Sequence, residues 1–260
     1  MALAAFNVFD YDGIRAVADA AHETGKPVYI QFSSSTVKYY GAPVISQMVR
    51  AACARNREQI IIHLDHCTDL ELIKSCIENG WDSVMGDFSH LELQDNIQNM
   101  LKIKALVGDK NITIEGELGQ VAGVEDGHGA EGGSFVSPEE VKKFVSETNV
   151  DLLAIGIGNA HGFYKSTSGI KINLLKKVHE IIPQQKLVLH GGTGIEQNKI
   201  DEMKKYGIHK INVSTELKDV YMNAEHSHFL SESKFDMISL VESRYQSIKS
   251  LAKQRMLEFL

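Results

Sequence analysis

The chain has 260 residues and a formal net charge of −7. This is enough for one large domain or two small ones, and the wrong sign for a general nucleic-acid or membrane-surface role, since both need clustered Lys and Arg. Any anionic ligand must be held locally, by backbone amides, a metal or a few placed cations.

Hydrophobic residues at 43% and charged residues at 23% suit a soluble globular protein, and no apolar run approaches the length of a membrane span. The opening "MALAAFNVFD" lacks the charged start, long apolar core and cleavage site of a signal peptide. Three cysteines (Cys53, Cys67, Cys76) without a C-x-x-C pair suit a reducing compartment. A cytoplasmic location is therefore expected.

In chain order, short apolar runs alternate with longer amphipathic stretches. "AAFNVF" (4–9) predicts a strand, followed by the helical pattern "GIRAVADAAHETG", which stops at Gly25. "VYIQFS" (28–33) and "IIIHLD" (60–65) follow as strands. The helix "DLELIKSCIENG" closes at Gly80, before the strand "DSVMGD" (82–87). After "ITIEGEL" (112–118) comes the helix "SPEEVKKFVSETN", with Ser137, Pro138 and Glu140 arranged as a capping box and Asn149 at its end. "LLAIGIG" (152–158), "LVLHGG" (187–192) and, beyond Gly207, "IHKINVST" (208–215) complete the set. Gly and Asn at the helix ends are what a left-handed C-cap prefers.

Near-continuous apolar strands, each followed by a helix, predict a parallel sheet covered by helices. Eight such units favour a closed (β/α)₈ barrel. An open doubly wound sheet would want a glycine fingerprint after its first strand, and "FNVFDYDG" is not one. With no linker, low-complexity tract or composition shift, residues 1–260 read as one α/β barrel domain.

Polar residues gather at one end of these strands, the carboxyl end where barrel enzymes build their sites. Asp65 and His66 close the third strand and Asp87 the fourth. Glu115 and Glu117 sit late in the fifth. His161 lies just past the sixth, His190 ends the seventh, and Asn212, Ser214 and Thr215 end the eighth. A single buried His is more often a satisfied core residue than a ligand. Three from different strand ends, His66, His161 and His190, could instead converge on one metal, since three neutral imidazoles with an open position describe a catalytic Zn²⁺ site. His63 reads as a packing or supporting residue, and His22 and His179 as surface residues of helices.

"HGGTG" (190–194) and "NVST" (212–215) fall after strands seven and eight, where barrels commonly hold a phosphate. Glycine would let the amides of Gly192, Thr193 and Ser214 approach an anion with no Cβ in the way, although a structural turn would use the same residues. The acidic, glycine-rich segment 119–135 carries Glu125, Asp126 and His128, and its length suits either a lid or a solvated loop.

At this point the chain resembles the class II, metal-dependent ketose-bisphosphate aldolases of the fructose- and tagatose-bisphosphate type. The residues that carry the resemblance are "AFNV" (5–8), "IHLDHC" (62–67), "VMGDFS" (84–89), "EGELGQVAGVEDG" (115–127), "GNAHGFYK" (158–165), "HGGTGI" (190–195) and "KINVSTELK" (210–218). They keep the family's order over nearly the whole chain. By position the resemblance implies His66, His161 and His190 as zinc ligands, Asp65 as the acid/base on the substrate hydroxyl, and Glu125 as the loop residue exchanging the carbon-bound proton. It implies Asp87 and Glu117 as the site of a displaced metal or of a second divalent or monovalent cation. Gly162, Gly191, Gly192, Thr193, Asn212, Val213, Ser214 and Thr215 would contact dihydroxyacetone phosphate, and Gln31 and Ser33 would lie near the aldehyde half. A homodimer or homotetramer is expected, with a sugar phosphate as the small-molecule partner and neither nucleic acid nor membrane.

Three departures from the family pattern qualify this. The usual helix before the first strand is missing, so the barrel floor is expected to be closed by a partner chain or left more open. The family's Asp-Pro-Arg is absent around "KFDMISL" (234–240), which leaves open whether the substrate carries one phosphate or two. Ser214 stands where fructose-type members carry Asp and tagatose-type members Ala.

The mechanism expected from the resemblance has Zn²⁺ on the ketose oxygens, Asp65 taking the C4-hydroxyl proton as C3–C4 breaks, and Glu125 protonating the remaining carbon. A Schiff-base aldolase would need a buried inward lysine. Lys210 is the one candidate, and it sits early in its strand, away from the active rim. A metal hydrolase would want an H-x-H on an early strand. A non-catalytic sugar-phosphate sensor would keep the glycine loops but not Asp65 together with Glu125.

Overall fold

The computed structural model describes residues 1–125, 128–130, 133–164, 166–231 and 235–260, with backbone alone for 124–125 and 128–130. Eight parallel strands close a barrel in the order β1 (Leu3–Asn7), β10 (Ile208–Val213), β9 (Lys186–Leu189), β8 (Leu152–Ile155), β5 (Thr113–Leu118), β4 (Ser83–Gly86), β3 (Ile60–Cys67) and β2 (Val28–Ser33). Two short strands, β6 (Gly123–Glu125) and β7 (His128–Ala130), pair as an antiparallel hairpin inside the acidic segment, which reads in sequence as a loop.

The expected helix ends occur where the glycines put them. Gly25, Gly80 and Gly207 take φ of 67°, 75° and 88°, and Asn149 takes 50°. The Ser137 side chain accepts from the Glu140 amide at the start of α6 (Pro138–Thr148), so the capping box forms.

Several strands stop short of their sequence-based limits. β8 ends at Ile155, β9 at Leu189 and β10 at Val213. Beyond β8 the apolar Ile157 stays buried although the ladder has ended, and beyond β9 and β10 the chain turns away from it. That is the physical reason why apolar periodicity carries a strand further than hydrogen bonding does.

The amino end of the barrel is filled by side chains of its own strands. Leu3, Ala5, Tyr29, Leu152, Ala154 and Val188 form their own apolar cluster inside the barrel, with Ile61 packed against it. The C-terminal helix α10 (Met237–Glu258) runs back along α1 (Tyr11–Thr24). Beyond α10, the buried Phe259 accepts a hydrogen bond from the Ala2 amide at 2.9 Å. Among the described residues no helix is long and apolar enough to cross a membrane, and all three cysteines are buried thiols.

Candidate active site and metal centre

Asp65 and His66 are neighbours on one strand and should face opposite ways. The structure resolves this with a bulge. β3 and β4 pair Leu64 with Val84 and then Cys67 with Gly86, so β3 holds one extra residue there. His66 absorbs it with φ 40°, a left-handed conformation that costs a non-glycine residue about 1–2 kcal/mol. The Ser34 hydroxyl donates to the His66 carbonyl at 2.6 Å and steadies the turn. Both side chains then serve the barrel mouth.

The donor nitrogens of His66, His161 and His190 lie within 4.8 Å of one another, and all three rings are buried. A second group, His66 with Asp87 and Glu117, meets the same limit. Asp87 accepts from His66 Nδ1 at 2.7 Å, which leaves His66 Nε2 pointing at His190 Nδ1, 2.9 Å away. On the far side of its ring, His190 Nε2 donates to Glu115 Oε1 at 2.9 Å. His66 and His190 thus each have one nitrogen held by a carboxylate and the other aimed at a shared centre, the arrangement of a metal ligand oriented from behind.

Charge follows from this packing. Burial works against a cation at His66, yet Asp65, Asp87 and Glu117 more than offset it, so its pKa stands well above the usual histidine value. Burial and the neighbouring His66 lower His190, so it stays neutral. The His66 proton therefore sits between the two rings, where a cation would replace it. Burial and the adjacent Asp87 raise the Glu117 carboxyl. Burial also works to raise Asp87, but its bond to His66 wins and lowers it.

Asp65 is held by side-chain amides. Asn7 Nδ2 donates to Oδ2 at 2.8 Å, Gln31 Nε2 to the same oxygen at 3.2 Å, and Asn212 Nδ2 to Oδ1 at 3.3 Å. Burial opposes ionisation, but the positive field of His66 and Lys210 outweighs it and lowers the pKa to about 2. The surroundings thus favour the ionised form of Asp65. Asn7 was not singled out in the sequence. Its signal was parity, since Leu3, Ala5 and Asn7 share the inward face of β1 and Asn7 pairs in register with Gln31.

Four buried polar atoms around this mouth have no hydrogen-bond partner among the described residues: Gln31 Oε1, Glu117 Oε2, Asn212 Oδ1 and Ser214 Oγ. Orphaned atoms cost free energy unless a ligand answers them. Their clustering beside three converging imidazoles fits a Zn²⁺-type donor set next to a polar ligand.

The glycine loop after β9 is shaped by close approach. A Cβ on Gly191 (φ 67°) would lie 2.0 Å from the Ala160 carbonyl oxygen, and one on Gly192 would lie 2.6 Å from Ile211. The Tyr164 hydroxyl donates to the Gly191 carbonyl at 3.0 Å and accepts from the Ala160 amide at 2.8 Å, tying the His161 loop to the His190 loop. The Gly192 amide donates to the Asn212 carbonyl at 3.0 Å and is engaged in holding the loop. The Val213 side chain belongs to the main apolar core. Parity on β10 turns it away from Asn212, leaving only its backbone near the site.

Thr193 and Ser214 are buried, and Ser214 and Thr215 open α9 (Thr215–Phe229) with no side-chain cap. A helix start of this kind favours an anion. Gly162 takes φ 94° in the His161 loop. The Ser33 hydroxyl contacts Ser35 and Thr36 and caps α2 (Ser34–Tyr40), so it contributes to the helix start as well as the rim. The Glu125 backbone lies in β6, while its side chain and that of His128, together with all of Asp126, lie outside the described residues.

Lys210 is fully buried beneath the histidines, not at the rim. Its ammonium donates to Glu115 Oε2 at 2.8 Å and to His63 Nε2 at 3.1 Å. A lysine paired in this way, below the rim, is poorly placed to attack a substrate carbonyl. Burial lowers His63 to about 3, so it is a neutral acceptor for Lys210. Its Nδ1–H is then available to the Ser83 hydroxyl, 2.7 Å away.

A family model described as fructose-bisphosphate aldolase class-II matches residues 1–260. A fructose-bisphosphate aldolase of Streptococcus pneumoniae (serotype 4, strain ATCC BAA-334 / TIGR4) is 33% identical over 251 residues, covering 94% of this chain and 85% of the relative. One from Treponema pallidum (strain Nichols) is 35% identical over 227 residues, covering 79% of this chain and 68% of the relative. Among solved structures, the YdjI aldolase from Escherichia coli K12 superposes with a TM-score of 0.85 at 27% identity, covering 99% of this chain and 91% of its own. A Coccidioides immitis protein solved as a candidate fructose-1,6-bisphosphate aldolase gives a TM-score of 0.90 at 26% identity, with coverage of 99% and 91%.

Proposed function

The chain belongs to the class-II fructose-bisphosphate aldolase family of lyases, and from that membership we propose that it reversibly cleaves a fructose- or tagatose-bisphosphate-like ketose to dihydroxyacetone phosphate and an aldehyde. What carries this is the convergence of three imidazole nitrogens within 4.8 Å of one another beside an Asp65 carboxylate held by three side-chain amides.

His66, His161 and His190 would hold Zn²⁺, and His66, Asp87 and Glu117 a second cation. Zn²⁺ at the three histidines would supply Lewis-acid stabilisation of the charge that develops on the ketose oxygens, worth several kcal/mol. The remaining chemistry belongs to side chains. Asp65, fixed by Asn7, Gln31 and Asn212, takes the C4-hydroxyl proton. A carboxylate this weakly basic suffices, because the hydroxyl becomes a protonated aldehyde, a far stronger acid, as the C3–C4 bond breaks. Glu125, on the hairpin-bearing segment, returns a proton to the carbon.

The amides of Thr193 and Ser214, the Ser214 hydroxyl and the start of α9 form the phosphate cradle, with Gly162, Gly191 and Thr215 around it. Gln31 and Ser33 face the aldehyde half. The exposed Met222, Phe229, Leu230, Met237 and Ile238 near α9 and α10 are the kind of patch a second copy covers, which supports a homodimer or homotetramer. The buried free thiols support a reducing, cytoplasmic setting.

The test is chelation followed by metal restoration, with dihydroxyacetone phosphate detected from a panel of ketose mono- and bisphosphates. Activity should vanish with the metal and return with Zn²⁺ or Co²⁺. Borohydride trapping of substrate on Lys210 would instead establish Schiff-base chemistry.

A further inference from the structure

Bond cleavage makes no use of Lys210, yet the fold buries its ammonium completely, a placement that is costly unless the charge is paired. The pairing partner is specific. Glu115 Oε2 takes Lys210 Nζ at 2.8 Å, while the other carboxylate oxygen takes His190 Nε2–H at 2.9 Å. His63 Nε2 accepts a further Lys210 proton at 3.1 Å, with the His63 ring edge-on to Tyr29 and the Tyr29 ring 5.2 Å below the ammonium. With three groups around it, the ammonium has little freedom to move.

This inference rests on the three-histidine reading of the metal site. We propose that Lys210 is a positioning residue for the metal ligand His190, acting through Glu115. The ammonium fixes one carboxylate oxygen, so the other stands where His190 Nε2–H must donate. The His190 ring is thereby held in the tautomer whose Nδ1 lone pair faces His66 and the shared centre. A free carboxylate could rotate, and an imidazole with no acceptor behind it could take the other tautomer or turn its ring. The same carboxylate supplies negative charge behind the ligand and makes its Nδ1 a better donor.

The experiment uses the full chain, stripped of metal, titrated with Co²⁺ and Zn²⁺, and followed by visible absorption, ion content and ¹H–¹⁵N imidazole correlation spectra. The parent should bind one ion at the three histidines, with His190 protonated on Nε2. Lys210→Met should weaken that binding about 10- to 100-fold and broaden or shift the His190 Nε2–H signal. The melting temperature of the metal-free protein and its circular dichroism show whether it folds. Lys210→Met leaves Glu115 unpaired and could fail to fold, so the charge-neutral pair Lys210→Met with Glu115→Gln is measured in parallel. It should fold, and still bind the ion at least about tenfold less tightly than the parent. Parental affinity together with an unchanged His190 signal in a folded variant overturns the positioning role. Failure of the parent to bind at the histidines overturns the metal site itself, and this inference with it.

Discussion

The same eight strands enclose two different interiors. At the amino end Leu3, Tyr29, Leu152 and Val188 fill the barrel with apolar volume. At the carboxyl end the space holds Asn7, Gln31, Asp65, His66, Asp87, Glu117, His190 and Asn212, all buried and all polar. Between the two, the Lys210–Glu115 ion pair with the neutral His63 beside it forms a layer belonging to neither. The lower interior gains stability from burial, about 25 cal/mol per Å² of apolar area. The upper one gives stability up by keeping buried polar atoms without partners. Stability and reactivity are thus assigned to opposite ends of each strand, and a substitution should disturb one without the other.

The sharpest break is Asp65→Asn. Asparagine keeps the volume but removes the base, so turnover should fall about 10²- to 10⁴-fold with zinc content unchanged. Loss of zinc in that variant would show that Asp65 is a ligand. At the other end, Leu152→Ala removes a fully buried side chain and should cost about 2–5 kcal/mol of unfolding free energy. Urea titration measures that cost. Below the melting range kcat should stay within about twofold of the parent, and a larger loss would mean the two interiors are coupled.

Zn²⁺ uptake should follow pH in a defined direction. His66 has a raised pKa in the metal-free fold, so its cationic form stabilises that fold. The contribution is complete below the ordinary histidine value, about 6.5, and disappears as pH rises through the raised one. Because the metal must displace this proton, apparent affinity should climb roughly tenfold per pH unit while His66 is protonated, and level off above. Calorimetry in two buffers of different ionisation enthalpy should count about one proton released. Zero would place the ion elsewhere. The smallest effect belongs to a region outside both interiors. Ser137→Ala removes the cap of α6 and should cost about 1 kcal/mol, with no change in activity.

The barrel was legible in the sequence because buried parallel strands are written as unbroken apolar runs, with helix ends marked by Gly25, Gly80 and Asn149. The rim was legible because polar residues at strand ends break those runs at one end only. The β3 bulge was not, since a positive φ at His66 arises from pairing with β4 and leaves no mark on the residue itself. Asn7 escaped for a related reason, as an amide inside the run "AAFNVF" has no visible partner until Gln31 and Asp65 are seen beside it. Glu115 stood out as polar but had no role until Lys210 and His190 flanked it. The β6–β7 hairpin was masked by glycine, which signals a loop whether or not its backbone pairs.

The root of that hairpin has a mechanical consequence. The His161 amide donates to the Ala122 carbonyl at 2.8 Å, and the Ala122 amide to the Asn159 carbonyl at 3.4 Å. Gly123 lies so close that a Cβ there would stand 2.7 Å from the His161 carbonyl oxygen. The segment entering the hairpin and the segment bearing His161 are therefore clamped together as one lever arm. Any force applied beyond Gly123 reaches His161 first. The other two imidazoles, rooted in β3 and just past β9, stay with the stiff wall of the barrel.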